Sequence, residues 1–373
     1  MHRAPPRVSV RRARRTSSLF YGASMLGFGS DNCAGMCPEA VEALRRAAVD
    51  GHVSAYSADP FTSDAVSRLE AMFDGVAGVF FVATGTAANT LAIGSLVEPW
   101  QRVICNDYSH VATAESTGPE HVARCRLSTI VTEGHKLTPD DLRGFPIGRE
   151  PLVHRARPGV LTISNPTEFG EVYTPEQVAA ICETAHELGY RVHVDGARFS
   201  CAVAHLECDP RAITSDAGVD ALTFGGTKNG LGCGEAVLFF EQGDGAVARR
   251  AAARFPELRK ILGHLISKHR FITAPFAAML TDGIWLKHAG HANAMAARLS
   301  GALKACGLPP RFATEANGVF VSLPDDLHEA LSTRYTYYEV GDVAWRMGRF
   351  MMSFDTSVEE VDALVEDVRA MRS

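Results

Sequence analysis

Apolar runs typical of β-strands alternate with helix-like segments between about residue 38 and residue 240. The strand-like runs are residues 79–82, 102–106, 159–164, 190–194, 220–226 and 235–240. The helix-like segments are residues 37–51, 63–76, 87–97 and 174–189. This alternation predicts an α/β fold: a mostly parallel sheet with helices on both faces, which binds its ligands at the carboxyl ends of the strands.

The pattern changes in the last third of the chain, which predicts a second and smaller domain. The elements there are long helices from about 255 to 308, strands at 318–324 and 349–354, and an amphipathic helix at 356–371. They are typical of an α+β domain. The domains that we predict are a basic, disordered arm over 1–27, a large α/β domain over 28–255 and a small C-terminal α+β domain over 256–373.

One uncharged stretch, residues 75–97, is long enough to cross a lipid bilayer. However, Thr84, Gly85 and Thr86 interrupt its middle, and Asn89 and Thr90 follow shortly after. Short apolar runs of this kind are typical of buried strands in parallel sheets. We therefore predict a buried strand, a tight turn and a helix, and no membrane span.

Acidic residues outnumber basic ones, and the charge is unevenly distributed. There are 37 Lys and Arg residues and 43 Asp and Glu residues. Residues 1–15 hold six arginines and no acid, which makes a basic arm on an acidic body. This balance argues against a dedicated nucleic-acid-binding protein. The arm lacks the apolar run of a secretory signal, although its composition resembles that of a transit peptide. A disordered tail or an upstream start codon is the alternative that we favour.

The nine cysteines are odd in number and form no CxxC pair. Cys33 and Cys37 are four residues apart, but no pair of histidines at zinc-finger spacing follows them. This pattern favours reduced thiols over disulfides and argues against a zinc site. We therefore expect a cytoplasmic protein with no bound metal.

Two strand ends carry groups that are typical of ligand binding. The TGTAAN segment from Thr84 to Asn89 begins a predicted helix, and the free N–H groups there attract anions. Alternatively it is an ordinary helix start, since it has neither a P-loop nor a GxGxxG pattern. Asp195 ends an apolar strand, where a carboxylate needs a cation, such as a protonated pyridine, or hydrogen-bond donors. Alternatively Asp195 caps the next segment.

Two cationic residues complete the set of candidates. Lys228 follows a strand in the glycine-rich turn FGGTKNG, 33 residues after Asp195, so both would lie at the same edge of the sheet. A desolvated lysine there can act as a nucleophile towards a carbonyl, although a solvated loop lysine is the alternative. Arg349 begins a strand of the small domain, where it would bind a carboxylate through two hydrogen bonds or simply lie at the surface.

These features follow the order found in aspartate-aminotransferase-type proteins, which bind pyridoxal phosphate (PLP). Several segments resemble more closely the low-specificity L-threonine aldolases of bacteria, and the similarity runs from about residue 28 to the carboxyl end. The segments include SDNCAGMCPEA (30–40), HVDGARF (193–199), FGGTKNGLGCGEAVLFF (224–240) and RFMMSFDT (349–356). The resemblance implies a PLP-dependent fold type I lyase that cleaves L-3-hydroxy-2-amino acids to glycine and an aldehyde. L-threonine, L-allo-threonine and phenylserine-like compounds are the implied substrates.

The resemblance also implies a role for each matching cofactor residue. Lys228 would bind PLP covalently, and Asp195 would pair with its ring nitrogen. Gly85, Thr86 and Thr227 would hold its phosphate. The remaining cofactor ligands that the resemblance implies are His110, Arg198, Lys268 and Arg270.

Further roles concern the substrate. His110 would stack on the ring and act as a base, directly or through water, and His154 would be a second catalytic histidine. The implied substrate ligands are Ser30, Tyr56, Arg198 and Arg349. The family implies a homotetramer, a dimer of dimers, in which Tyr56, Lys268 and Arg270 would reach a neighbour's site.

The chain departs from the family pattern near the pocket wall. Ala58 and Ala114 stand where relatives have acids, although Glu115 remains beside Ala114. These changes leave the preferred side chain and the stereochemistry at Cβ open. Another PLP-dependent β-eliminating lyase, an amino-acid transaldolase and a non-enzymatic binding protein are the alternatives.

Overall fold

The computed structural model describes residues 26–132, 135–146, 153–341 and 347–372. Its strands are β1 (Leu26–Gly27), β2 (Val76–Val82), β3 (Gln101–Asn106), β4 (Arg126–Ile130), β5 (Arg157–Ser164), β6 (Arg191–Gly196), β7 (Ala221–Gly225), β8 (Glu235–Phe240), β9 (Gly318–Val321), β10 (Tyr335–Thr336), β11 (Tyr338–Val340) and β12 (Met347–Met351). Its α-helices are α1 (Pro38–Val49), α2 (Pro60–Met72), α3 (Gly85–Leu96), α4 (His110–Thr113), α5 (Gly118–Ala123), α6 (Pro139–Gly144), α7 (Pro175–Glu187), α8 (Phe199–Leu206), α9 (Ala246–Ile261), α10 (Arg270–Leu280), α11 (Ile284–Ala305), α12 (Asp325–Ser332) and α13 (Val358–Arg372).

The central sheet confirms the predicted mostly parallel α/β architecture. In the described part of the chain it has seven strands in the order β2-β8-β7-β6-β5-β3-β4. The strands from β4 to β7 run parallel, whereas β8 is antiparallel to β7 and to β2. Ser164 of β5 and Thr223 of β7 flank Asp195 of β6 in register. The carboxyl ends of these parallel strands therefore bring polar side chains to one edge.

The uncharged stretch forms a strand and a helix, as predicted. Strand β2 ends at Val82, and α3 begins at Gly85 after Thr84, whose hydroxyl accepts a hydrogen bond from the Ala87 amide at 3.2 Å. Residues 87–96 of α3 are all buried, because the helix lies between the sheet and α9. A helix that is apolar all round is typical of a protein interior as well as of a membrane. No helix in the described ranges is long and apolar enough to cross a bilayer.

The carboxyl end of the chain forms a separate packing layer, as the change of pattern predicts. Strands β11, β12 and β9 form a three-stranded antiparallel sheet, and α13 packs on α11. Strand β1 pairs in parallel with β10, so Leu26 and Gly27, assigned to the basic arm, join this part of the fold. The rest of the arm lies outside the described residues. The predicted boundary at residue 255 falls within α9, and the division into domains stays a prediction.

Some elements gave no strong sequence signal. Strand β4 lies at the edge of the sheet, and most of its residues are exposed or half-buried. It therefore lacks the run of apolar residues that marks the inner strands. The short α4, α5 and α6 span four to six residues each, too few to show a helical period. All nine cysteines are free thiols, and most are buried.

Candidate active site

A cavity of about 470 Å³ opens at the carboxyl ends of the parallel strands. It lies between the amino end of α3 and the loops that follow β5, β6 and β7. The predicted residues that line it are Gly85, Thr86, His110, Asp195, Arg198, Thr227 and Lys228. This volume is within the range typical of small-molecule sites.

A hydrogen-bond network joins His110 to Asp195 at the floor of this cavity. His110 Nδ1 lies 2.8 Å from Glu115 Oε1, and Asn89 Nδ2 donates to that same oxygen at 2.8 Å. Asn89 Nδ2 also donates to Asp195 Oδ2 at 2.8 Å, and the amide of Ala197 donates to Asp195 Oδ1 at 3.0 Å. Both oxygens of Asp195 are therefore held in place.

The charges in this network shift one another's pKa values. The hydrogen bond to Glu115 and the negative charge of Asp195 raise the pKa of His110. Burial raises the pKa of Glu115. Burial would also raise the pKa of Asp195, but the charges of His110 and Lys228 hold it below its ordinary value. Asp195 is thus kept as a buried anion beside two cationic groups.

Lys228 lies in a short 3₁₀ turn, Thr227–Asn229, that follows β7. The turn closes at Gly230, whose φ of 103° disfavours any residue with a side chain, and Cys37 packs where a Cβ would lie. Burial and the nearby charge of Arg198 lower the pKa of Lys228. A lower pKa increases the neutral, nucleophilic fraction of the amine.

Glu235 is a buried carboxyl group that lies behind this turn. It begins β8 beside Val82, and its Oε2 accepts a hydrogen bond from the Gly226 amide at 2.8 Å. Burial raises its pKa to about 7. Glu235 therefore holds the backbone of the lysine-bearing turn.

Arg198 is engaged by an acid that the sequence interpretation did not single out. Its Nε and Nη2 donate to the two oxygens of Asp31 at 2.6 and 2.9 Å. Asn317 Nδ2 donates to Asp31 at 3.0 Å, and the neighbouring Ser30 is buried. Burial would raise the pKa of Asp31, but Arg198 and Lys228 lower it to about 2. Two of the five N–H donors of Arg198 are thus committed within the protein.

Arg349 extends from β12 towards the same cations. Its guanidinium lies 5.2 Å from the centre of the Tyr338 ring, and its Nη2 donates to the carbonyl of Gly29 at 3.4 Å. Its buried Nε has no hydrogen-bond partner among the described residues. Burial and the charge of Arg198 lower its pKa to about 10. Arg198 is paired with Asp31, whereas Arg349 forms no salt bridge with a described residue, so this cluster of two arginines is a suitable site for a further anion.

We expect Asp31→Asn to lower the free energy of unfolding at pH 7 by about 3 kcal/mol, because it leaves the Arg198 cation without its buried partner. Urea unfolding measures this difference. Because the pKa of Asp31 is lower in the folded chain, the stabilisation is lost as pH falls from 3.8 towards about 2. Asp64→Asn, which breaks an exposed pair with Arg68, is the control and should change stability by about 0.5 kcal/mol or less. Equal effects of the two variants would contradict a structural role for Asp31.

Ser30 and Arg349 lie near Asp31 and are not part of the cavity lining. The structure places four further predicted residues outside the cavity of the same chain. His154 is exposed, just before β5, and the eight residues of β5 span about 25 Å to the cavity edge. Tyr56 is 53% exposed, and its amide donates to the carbonyl of Ser267. This contact places it close to Lys268 and Arg270. The roles of all four residues stay predictions.

Some cavity residues gave only weak signals in the sequence. Asn89, Glu168 and Glu235 line the cavity and lie within or beside the motifs, but no spacing rule singles them out. Asp31 follows the predicted Ser30.

Two sets of possible metal ligands also occur in the described residues: His110, Glu115 and Asp195, and Cys37, Glu39 and His288. Hydrogen bonds with Asn89 account for the first set, and burial raises the pKa of Cys37 to about 11, which disfavours a thiolate ligand in the second.

A family model described as beta-eliminating lyase matches residues 27–326. The chain belongs to the beta-eliminating lyase family. Within this family, a low-specificity L-threonine aldolase from Pseudomonas sp. (strain NCIMB 10558) is 42% identical over 352 residues, which cover 93% of this chain and 98% of the relative. The membership predicted from the motifs is therefore confirmed, and this member of the beta-eliminating lyase family is an enzyme of the lyase class.

Solved structures show the same fold for this beta-eliminating lyase. A threonine aldolase from Leishmania major has a TM-score of 0.86 and 23% identity, and the match covers 93% of this chain and 100% of that chain. A serine palmitoyltransferase from S. paucimobilis with bound PLP has a TM-score of 0.66 and 16% identity, covering 93% and 87% of the two chains. The predicted fold type I architecture is confirmed.

Proposed function

We propose that this lyase cleaves L-3-hydroxy-2-amino acids between Cα and Cβ, yielding glycine and an aldehyde, with PLP as its cofactor. Threonine is the main substrate that we propose within this class. The observation that carries the proposal is the arrangement of Lys228 and Asp195 in one cavity, close enough to shift each other's pKa. Arg198 lines the same cavity, and Arg349 is close enough to Arg198 for their charges to interact. These groups suit an amino-acid substrate and a pyridine cofactor.

The residues of the cavity fit PLP. A Cβ on Gly85 would meet no atom within 4 Å, so the amino end of α3 leaves space at its free N–H groups for a phosphate, with Thr86 beside it. Asp195 offers a fixed anion to a protonated ring nitrogen. Lys228 offers an amine of lowered pKa to the aldehyde carbon. When bound, PLP supplies an electron-withdrawing ring that stabilises negative charge at Cα of the substrate.

The protein's own residues would orient the substrate. Arg349, with the donors that Arg198 retains, would bind the substrate carboxylate and fix the direction of the Cα–Cβ bond. Such orientation contributes several kcal/mol, within the roughly 7–11 kcal/mol available from positioning. The hydroxyl proton must then pass to a group in the cavity wall, where His110 and Glu168 are the candidates.

An assay of products separates this proposal from its alternatives. The purified enzyme, supplied with PLP, is given L-threonine, L-allo-threonine or L-phenylserine, and aldehyde, glycine, ammonia and keto acid are measured. We expect equal amounts of aldehyde and glycine. Ammonia and a keto acid would instead indicate β-elimination, and turnover that requires a second aldehyde would indicate a transaldolase. A protein that neither binds PLP nor acts on these compounds would exclude the proposal.

We also propose that the enzyme is a cytoplasmic homotetramer. The exposed ring of Tyr56 lies 5.0 Å from Lys260 Nζ, and Arg270 donates to the carbonyl of Gly51 at 3.0 Å. These contacts hold a tyrosine and cations outside the chain's own cavity, where a neighbouring subunit would use them. The free thiols suit a reducing compartment. Light scattering on the purified enzyme measures the subunit number, and a monomer would contradict the proposal.

A further inference from the structure

Glu168 is a carboxylate in the cavity wall, and neither the sequence motifs nor the family resemblance gives it a role in the reaction. It lies in the loop after β5, four residues beyond Ser164. Its Oε1 accepts hydrogen bonds from the Ser164 hydroxyl at 2.7 Å and from the His110 amide at 2.8 Å. In the described part of the chain, no other residue donates a hydrogen bond to Oε2. The side chain is therefore held at one oxygen, while the other remains available to a ligand in the cavity.

The other acids of the cavity are already committed. Asp195 is held at both oxygens by Asn89 and Ala197, and Glu235 is bound to the Gly226 amide behind the lysine-bearing turn. Cys233 also lines the cavity, but burial raises the pKa of its thiol, so it remains protonated. Among the described residues that line the cavity, Glu168 is thus the carboxylate that is held at one oxygen and does not support the lysine-bearing turn. Its second oxygen is therefore placed to accept a proton.

His110 is less suited to accept that proton. Its Nδ1 contacts Glu115, and this contact together with Asp195 raises its pKa, so the ring keeps both protons to a higher pH than a free histidine. An imidazolium donates hydrogen bonds and has no lone pair for a hydroxyl proton. Glu168 differs, because its ionised form is an acceptor only, and burial raises its pKa towards the working range of a general base.

We propose that Glu168 Oε2, rather than His110, takes the proton from the β-hydroxyl of the substrate. This assignment rests on the proposed cleavage reaction. The O–H proton moves to Glu168, the electron pair of that bond becomes the second bond of the aldehyde carbonyl, and the pair of the broken Cα–Cβ bond stays with the glycine fragment. One proton is then added to Cα and one leaves Glu168, so the overall reaction neither consumes nor releases protons. Ser164 and the His110 amide position the carboxylate throughout.

The pH dependence follows from the ionised form being the active one. The titratable groups around Glu168 are His110, Asp195, Cys105 and Tyr173. Because the pKa of Glu168 is raised, its carboxylate is lost at a higher pH than that of an exposed glutamate. In the wild type, kcat should therefore fall as the solution is made acidic through this pKa. In a variant whose residue 168 cannot ionise, this decrease of kcat at acidic pH should be absent.

Glu168→Gln tests the assignment, because the amide oxygen can still accept from Ser164 and from the His110 amide. With L-phenylserine and the PLP-loaded enzyme, we expect kcat to fall by about 10²-fold or more while KM changes little. The acidic fall of kcat should disappear, and Glu168→Asp should restore part of the rate. Two further measurements do not need cleavage: PLP affinity by fluorescence titration, and the change in visible absorbance on adding glycine, which has no hydroxyl. Both should stay close to wild type.

Glu171→Gln is the matched control, since Glu171 lies three residues on, contacts His135 and does not line the cavity. It should retain wild-type kcat and pH profile. If Glu168→Gln cleaves phenylserine at the wild-type rate, or keeps the acidic fall, the assignment is wrong and His110 or water is the acceptor. If it loses PLP or the glycine response, Glu168 has a structural role only. If the wild type cleaves no 3-hydroxy amino acid, the proposed function fails instead.

Discussion

Lys228→Ala is expected to lower kcat for phenylserine cleavage by about 10³-fold or more, the scale seen when an enzyme loses its nucleophile. No other amine lines the cavity in the described residues. The absorption band near ~420 nm that marks lysine-bound PLP should also vanish. Ultraviolet–visible spectra and an aldehyde assay on the same samples measure both effects.

Lys287→Ala is the matched control for this change, because Lys287 is an exposed lysine of α11 outside the cavity. It should keep both the band and the rate. Circular dichroism of both variants checks that they are folded. A Lys228→Ala enzyme that keeps the band would show that PLP binds through another lysine.

Asp195→Asn is expected to lower kcat by about 10²–10³-fold, corresponding to roughly 3–4 kcal/mol of lost transition-state stabilisation. The amide preserves the shape, and its oxygen can still accept from Asn89, but its NH2 group cannot accept from the Ala197 amide. The substitution also removes the anion that would keep the ring nitrogen protonated. Because Asp195 raises the pKa of His110, the variant should also have a lower His110 pKa. The rate is measured with phenylserine, and the histidine by its NMR titration.

Asp216→Asn removes an exposed carboxylate from the loop before β7 and serves as the control. It should change neither the rate nor the titration of His110. Wild-type activity in Asp195→Asn would mean that the charge of Asp195 does not support the reaction. An unchanged His110 pKa would contradict the electrostatic coupling across the Glu115–Asn89 bridge.

The strand ends could be predicted because their signals are local. Asp195 and Lys228 each follow an apolar run directly, and the parallel topology brings the ends of such runs to one edge. The position of His154 could not be predicted in this way. It precedes β5 by three residues, and the opposite end of that strand reaches the cavity. A motif match gives the position of His154 in the chain, but it does not show at which end of β5 the side chain lies.

The sequence by itself determined the alternation of strands and helices, the family and the pair Asp195 and Lys228, because apolar periodicity and strand-end motifs depend on neighbouring residues. Only the tertiary structure decided that Asp31 engages Arg198 across 167 positions and that Asn89 bridges Glu115 and Asp195. It alone showed that Glu168 faces the cavity with one oxygen unengaged by other described residues. Hydrogen bonds between distant elements depend on how the layers pack, and no local pattern in the chain encodes that geometry.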